Sequence, residues 1–438
     1  MSRLEILPLV ITRLVVEFST AHLDELLYLH TVSKQFRRSL RHFSMVSHLH
    51  LELPDFLSAY YLGPLSTGVH SVSLRNVPRL ESFQCLPALR VLDLSKCTFN
   101  SDLSPVALLN NLEMLDISGC GNIKRIYCLP ASLRVLNAFN CSSLVHLPDH
   151  PTLRALDIRR CYRLEVPPST PSLTALNADY SAQLFFPVGL QSLQLGECVF
   201  TNTDFLAPLA QLENLHLHIA KFGRDYDLTC LDALRSLTFL KLSFNITDRL
   251  MQSVETLSQL RTLSLESKDV TDLGLVSISK LRNLTSLSLL NYYTVHMTEE
   301  GLSCLDLPLL THLQLTSFAT LTDLNHLSKL VNLENLSISS SYMLHDLRPL
   351  ANFKKLHTLS LMYCDSVTSF AGLNGIQSLT ELDAVKCWDL TRDGLWALLP
   401  CKLSTLSLNP HAHAQLGDSA SEFRQQLKLQ NPALDLKF

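Results

Sequence analysis

The chain repeats one arrangement of apolar and polar positions. An apolar residue stands at a first position, three residues on, and two residues beyond that, with a polar residue between the last two. Leu89/Leu92/Leu94, Leu112/Leu115/Ile117, Leu133/Leu136/Ala138 and Leu153/Leu156/Ile158 are early copies. The arrangement continues through Leu260/Leu263/Leu265 and Leu356/Leu359/Leu361 to Leu403/Leu406/Leu408, and successive copies begin 17 to 26 residues apart. Val69/Val72/Leu74 and the segment around Leu49/Leu51 are degenerate earlier copies. Alternation with period two predicts a short strand with one buried face. One such strand cannot bury that face alone, so stacked copies are expected to join into a continuous parallel sheet over a leucine core.

The connections between strands are of two kinds. Between Cys120 and Leu190 they are short and carry Pro130, Pro148, Pro151, Pro167, Pro168, Pro171 and Pro187. Proline is excluded from helix interiors, so these segments are expected to be extended. From about residue 201 the connections lengthen and become helix-like, as in 270–281 and 297–305, with Thr271 and Thr298 as N-caps. A helix is about 10 Å wide, against a strand spacing of about 4.8 Å. The second half is therefore expected to bend more strongly than the first. Residues 418–438 read as a terminal cap. Ser419 and Glu422 form a capping box ahead of Phe423, Leu427 and Leu429, and a last short strand follows.

Eight residues after the first leucine stand Cys97, Cys120, Cys141, Cys161, Cys198, Cys364 and Cys387, and in another copy Asn245. Seven of twelve cysteines thus share one place in the pattern, where the chain leaves the strand. A small buried side chain there is expected to contact the backbone of the neighbouring turn. No C-x-x-C or Cys/His cluster supports zinc or disulfides instead. The period and this Asn/Cys position resemble leucine-rich repeats of the cysteine-containing, ribonuclease-inhibitor-like type. The resemblance implies an α/β solenoid over 46–417, with its sheet on a concave face that binds protein.

Composition narrows the function classes. Leucine fills 97 positions, charged residues are only 17%, and the net charge is −4 with a pI near 6.5. No single-sign field exists to draw the chain to nucleic acid or a membrane. No run of 18 uncharged apolar residues occurs, and the apolar start is interrupted by Arg13 and Glu17. The expected setting is the reduced interior of a cell, cytoplasmic or nuclear. No phosphate loop, dinucleotide fingerprint, metalloprotease helix or nucleophile elbow is present. The expectation is therefore no catalysis, no cofactor and no metal; His216/His218 and His411/His413 are pairs too small for a metal site. The short repeats around Leu129–Leu136 and Leu147–Leu156 also resemble those of bacterial ubiquitin-ligase effectors. In those proteins a catalytic helical domain follows the repeats, whereas here the repeats run nearly to Phe438.

Residues 1–45 do not fit the repeat and read as helices over 9–18, 22–31 and 33–42. Leu7-Pro8, then Leu26, Leu27 and Leu29, then Val32-Ser33-Lys34 with Phe36 and Arg37, resemble an F-box. The resemblance implies that Leu7, Pro8, Leu26, Leu27, Val32, Lys34 and Phe36 dock on a Skp-type adaptor of a cullin ubiquitin ligase. The chain would then be a monomer within a hetero-complex, holding a protein substrate. The alternative is a scaffold or inhibitor with no link to ubiquitin, in which these helices only cover the first repeat.

The polar residue between the second and third apolar positions points out of the concave face. This row holds Asp93, Asp116, Asn137, Asp157, Asn177 and Gln194, then His216 and Lys241, then mostly serine, with Asp383 near the end. It is either a solvated face or a stripe that receives a basic partner surface, with Arg159, Arg160 and Tyr180 as anchors. Phe239 and Phe244 are expected to be exposed.

Overall fold

The computed structural model describes residues 48–52, 70–75, 87–98, 103–165, 168–179, 186–198, 204–219, 229–243, 246–292 and 296–437. The chain divides into two compact units, 1–199 and 200–438. Each stacks the predicted strands in parallel. The first contains β1 (His48–Glu52), β2 (Ser71–Arg75), β3 (Val91–Asp93), β4 (Met114–Asp116), β5 (Val135–Asn137), β6 (Ala155–Asp157), β7 (Ala175–Asp179) and β8 (Ser192–Cys198). The second contains β9 (Asn214–Ile219), β10 (Phe239–Ser243), β11 (Thr262–Glu266), β12 (Ser286–Leu290), β13 (His312–Thr316), β14 (Asn335–Ser339), β15 (Thr358–Met362), β16 (Glu381–Ala384), β17 (Thr405–Leu408) and β18 (Asp435–Lys437).

Register follows the sequence pattern. Leu92 pairs with Leu115, Leu115 with Leu136, and Leu136 with Leu156; Leu240, Leu263, Leu287 and Leu313 form the same row in the second unit. The repeated apolar positions are the core, and Leu112, Leu115 and Ile117 are fully buried. These are stacked leucine-rich repeats.

Strand length is set by one side chain. In β3 to β6 the Asp or Asn of the concave row turns back on its own backbone. The N–H two residues on donates to it, at 2.8 Å for Asp93, 2.7 Å for Asp116, 3.0 Å for Asn137 and 3.1 Å for Asp157. That N–H is lost to the ladder, and the strand stops at three residues. Asn177 instead donates its amide to Asp157 Oδ2 at 3.3 Å, and β7 runs five residues. Serine strands such as β11 and β14 also run five.

Beyond each strand the chain reverses through a left-handed residue, seven after the first leucine: Lys96, Gly119, Asn140, Arg160, Ser317, Ser340, Tyr363 and Lys386. The next residue is the cysteine position. Its thiol donates to the carbonyl of the third apolar residue one repeat back. Cys120 reaches Leu94 O, Cys141 reaches Ile117 O, Cys161 reaches Ala138 O and Cys387 reaches Leu361 O, each at 3.1 Å. Cys364 reaches Ile338 O at 3.7 Å. The ladder expected from the spacing is thus a run of thiol-to-carbonyl bonds. Cys97 is buried. Asn245 and the side chain of Cys198 lie outside the described residues.

The convex connections follow the proline count. After the single turn α1 (Ser104–Ala107), the described residues of the first unit form no further α-helix. The second unit has α2 (Asp248–Val254), α3 (Asp272–Ile278), α4 (Glu299–Leu302) and α5 (Arg392–Trp396), with 3₁₀ turns in other repeats. Thr271 caps α3 as expected, accepting from Leu273 N at 3.2 Å. Thr298 occupies the N-cap of α4, but its hydroxyl lies 2.8 Å from Asp272 Oδ2 instead of accepting a backbone bond.

This departure is part of a second, carboxylate ladder. Asp248 accepts the Thr271 N–H (2.8 Å) and hydroxyl (2.7 Å). Asp272 accepts the same two groups of Thr298, both at 2.8 Å. Glu299 accepts those of Thr322, at 3.1 and 3.2 Å. A Cβ at Gly301 would collide with the Asp272 carboxylate, so glycine is required for the close approach.

The terminal cap begins at α6 (Pro410–Leu416), capped by Asn409 accepting from His411 N at 2.9 Å, and continues in α7 (Ala420–Gln430). Phe423 and Leu427 are fully buried, and Phe423 meets Trp396 edge-on at 5.6 Å. The final strand β18 pairs with β17. The expected capping box does not form. Ser419 ends a 3₁₀ turn at φ −83° and ψ 1°, and its hydroxyl donates to Leu416 O at 2.6 Å. An N-cap needs extended backbone, which the close succession of two helices denies it.

Candidate protein-binding face

Two rows of side chains cover the concave face of the first unit. One is the predicted row, in which Asp93, Asp116, Asn137, Asp157, Asn177 and Gln194 stand in register. The other was not singled out from sequence: Val91, Met114, Val135, Ala155 and Ala175, in register beside it. Where the two meet, between β4 and β7, lies an open trough of about 280 Å³. Met114 is 41% exposed at its edge. The available signal was two residues after each first leucine, where the first unit carries apolar and the second mostly polar residues.

The row is not uniformly anionic. Arg159 reaches back to Asp157 with Nη2 at 2.6 Å from Oδ2 and Nε at 3.1 Å from both oxygens. That bidentate pair neutralises Asp157 and raises the Arg159 guanidinium above its usual value. Asp116 is bonded instead by neutral donors, Ser118 N at 2.7 Å and Asn137 Nδ2 at 2.8 Å. Arg160, expected beside Arg159 as a concave anchor, occupies the left-handed turn at φ 59°. Both guanidiniums lie over the half-buried Phe139, at 5.3 and 5.5 Å from the ring centre. This cation–π cluster at the strand exit was not anticipated, because Phe139 is two positions beyond the row. Tyr180 lies outside the described residues.

In the second unit His216 and Lys241 are register neighbours. Lys241 Nζ is 3.0 Å from Glu266 Oε1. Burial alone would raise the Glu266 carboxyl, but the hydrogen bond and charge of Lys241 outweigh it and hold it below its usual range. Phe239 is half-buried, and Phe244 lies outside the described residues. A trough of about 260 Å³ crosses β12 to β15, lined by Ser288, His312, Gln314, Asn335, Ser337 and Thr358. Across the same strand positions the second unit thus offers hydroxyl, amide and imidazole groups.

The ladder thiols are poor nucleophiles. Burial pushes Cys161 and Cys364 up to about 11, and Cys120 and Cys387 up to about 12. Among the described residues no group of three or more His, Cys, Asp or Glu could hold a metal ion. His411 and His413 both fall on α6. No helix among the described residues is long and apolar enough to cross a membrane. The residues expected to dock an adaptor, Leu7, Pro8, Leu26, Leu27, Val32, Lys34 and Phe36, all lie outside the described residues.

No family model matches the chain. Over 129 residues, 29% of its length, it is 30% identical to a probable disease resistance protein of Arabidopsis thaliana, and it spans 7% of that protein. Among solved structures it is similar to an internalin of Listeria monocytogenes, at 18% identity and a TM-score of 0.42, covering 79% of this chain and 88% of that one. It is also similar to a leucine-rich repeat protein of Leptospira interrogans, at 17% identity and a TM-score of 0.41, covering 93% and 99%.

Proposed function

We propose that this leucine-rich repeat chain is a non-catalytic protein-binding module that holds its partner on the concave face. The observation that supports this most directly is the open trough between β4 and β7, where apolar side chains and a fixed carboxylate lie in adjacent rows on a rigid sheet. A long sheet with independently variable rows offers a wide recognition surface, and its preorganised side chains lower the entropic cost of binding. In this reading Asp93, Asp116 and Asp157, with Arg159, Arg160, Tyr180, His216 and Lys241, belong to the partner-facing side.

The finer role is that of substrate receptor in a Skp/cullin/F-box-type ubiquitin ligase, inside the cell. It is motivated by the F-box-like string in 1–45 ahead of the repeats. Affinity purification with mass spectrometry, comparing full-length protein with residues 46–438, tests it. The full chain is expected to recover a Skp-type adaptor and cullin together with a substrate, and the truncated chain the substrate alone. An identical partner list from both would remove the ubiquitin role. A second reading has 1–45 as a solenoid cap only, as α6, α7 and β18 cap the other end. A Pro8→Ala plus Leu26→Ala variant would then lose stability and keep every partner.

A further inference from the structure

We propose that the trough between β4 and β7 is an arginine pocket, in which Asp116 receives the guanidinium of a partner's arginine while its aliphatic stem lies along Met114, Val135 and Ala155. This rests on the protein-binding reading of the concave face and names the group that face selects.

Three observations converge on it. The first is charge. Among the acidic residues lining the trough, Asp157 is neutralised by its bidentate pair with Arg159, whereas Asp116 is bonded by neutral donors. Among the described residues Asp116 thus has no cation as a hydrogen-bond partner at the concave surface. The second is geometry. Ser118 N–H holds Oδ1 at 2.7 Å and the Asn137 amide holds Oδ2 at 2.8 Å. Each carboxylate oxygen accepts about two bonds, so each keeps a further acceptor position while the group is held in a fixed orientation. A planar fork of two parallel N–H donors suits that arrangement better than a single ammonium point charge. The third is the apolar floor. Met114 is 41% exposed, and Val135 and Ala155 stand in register beside it. Such a floor takes the methylene stem of a long basic side chain while its head reaches the carboxylate. The volume of about 280 Å³ accommodates one extended side chain with the peptide that carries it.

The sequence supplies its own conservative variant. Asn137 already occupies the row position of Asp116 and makes the same turn with its own backbone, accepting from Phe139 N at 3.0 Å. Asp116→Asn is therefore expected to fold and to keep the trough, while losing the charge and one acceptor.

The experiment uses the full chain labelled at its methionine methyls. It is titrated with the N-acetylated, C-amidated tripeptide Leu-Arg-Leu and with the counterparts carrying lysine, citrulline or norleucine at the centre. The arginine probe is expected to move the Met114 methyl resonance saturably, with the lysine probe several-fold weaker and the two neutral probes inert. Asp116→Asn should weaken the arginine probe by roughly tenfold, the size of a lost charge-assisted bond, while thermal unfolding falls only by the loss of the single Asn137 amide bond. Raised salt should weaken binding in the wild type. A Met114 resonance that ignores the arginine probe would overturn the pocket, and so would equal binding of the citrulline probe or wild-type affinity in Asp116→Asn. A parallel capture of cellular proteins separates the two levels. Partners that bind wild type and Asp116→Asn alike leave the protein-binding reading standing and remove the arginine pocket. An arginine probe that binds as expected while the intact chain captures no protein removes the protein-binding reading.

Discussion

The repeats from Leu89 to Cys161 and those from Ile246 to Thr322 solve one problem in two ways. In the first stretch the convex segments are, apart from the single turn α1, short and extended, and adjacent turns are tied by thiols donating one repeat back. In the second the convex segments are mostly helical, and the first-turn acid of each repeat binds the next threonine through two bonds. In these repeats no cysteine holds the position eight after the first leucine. Lys268, Tyr292 and Phe318 stand there, and the Ser267 hydroxyl one residue before Lys268 donates to Ile246 O at 2.9 Å. Cys364 and Cys387 return in repeats where no such acid–threonine staple is described. The conserved quantity along the stack is a satisfied backbone between neighbours, not a residue type.

The largest expected break in this comparison is alkaline. A thiol titrates near 9 when unfolded, while Cys161 and Cys364 sit at about 11 and Cys120 and Cys387 at about 12 in the fold. The raised value means that the stabilisation is complete below pH 9 and is lost as pH rises toward 11 and 12. Each thiol contributes a loss of about 1.4 kcal/mol per pH unit in that window. Urea midpoints should therefore hold up to about pH 9 and fall steeply between about pH 9 and 11, and a Cys120→Ser plus Cys161→Ser variant should show a shallower fall. A pH-independent midpoint would contradict the buried ladder.

Next in size is the staple. Asp272→Ala removes two bonds to Thr298 and is expected to cost about 2–3 kcal/mol in equilibrium unfolding, since hydrogen bonds to a charged group exceed neutral ones. Thr298→Val, which keeps the backbone bond, should cost about half as much. Cys141→Ala leaves Ile117 O without its thiol donor and should cost about 1 kcal/mol, with Cys141→Ser closer to wild type. The smallest change is Arg159→Ala. It breaks a partly exposed pair with Asp157, for which about 0.5 kcal/mol is expected in the same assay. A loss as large as that of Asp272→Ala would mean that Arg159 organises the face structurally.

The strand register, the core and the cysteine position were legible in sequence because each follows a fixed offset from the first leucine. The left-handed turn was not. Of the eight residues seven places after a first leucine that adopt it, only Gly119 is glycine, so nothing in residue type marks Lys96 or Tyr363 as turn positions. The acid–threonine staple was half visible, since Thr271 and Thr298 were read as caps, but its carboxylates belong to the preceding repeat. The candidate face was legible in its polar row and missed in its apolar one. Val135, Ala155 and Ala175 read as ordinary strand residues until the register brings them together. The division of labour between Asp116 and Asp157 depends on Arg159 folding back across two residues, which spacing alone does not show.

The thiol ladder also bears on how such a chain can change length. Each sulfur addresses a carbonyl at the same place in the preceding unit, and the addresses are interchangeable. Excising residues 121–141 would bring Cys161 into the place of Cys141, facing Ile117 O with an intact donor. Gain or loss of a whole rung is thus compatible with the interior, whereas a deletion that is not a full rung takes the sulfur spanning the junction off its acceptor. In this stretch the piece that can be added or removed with its bonds intact is the rung, and cysteine marks its frame.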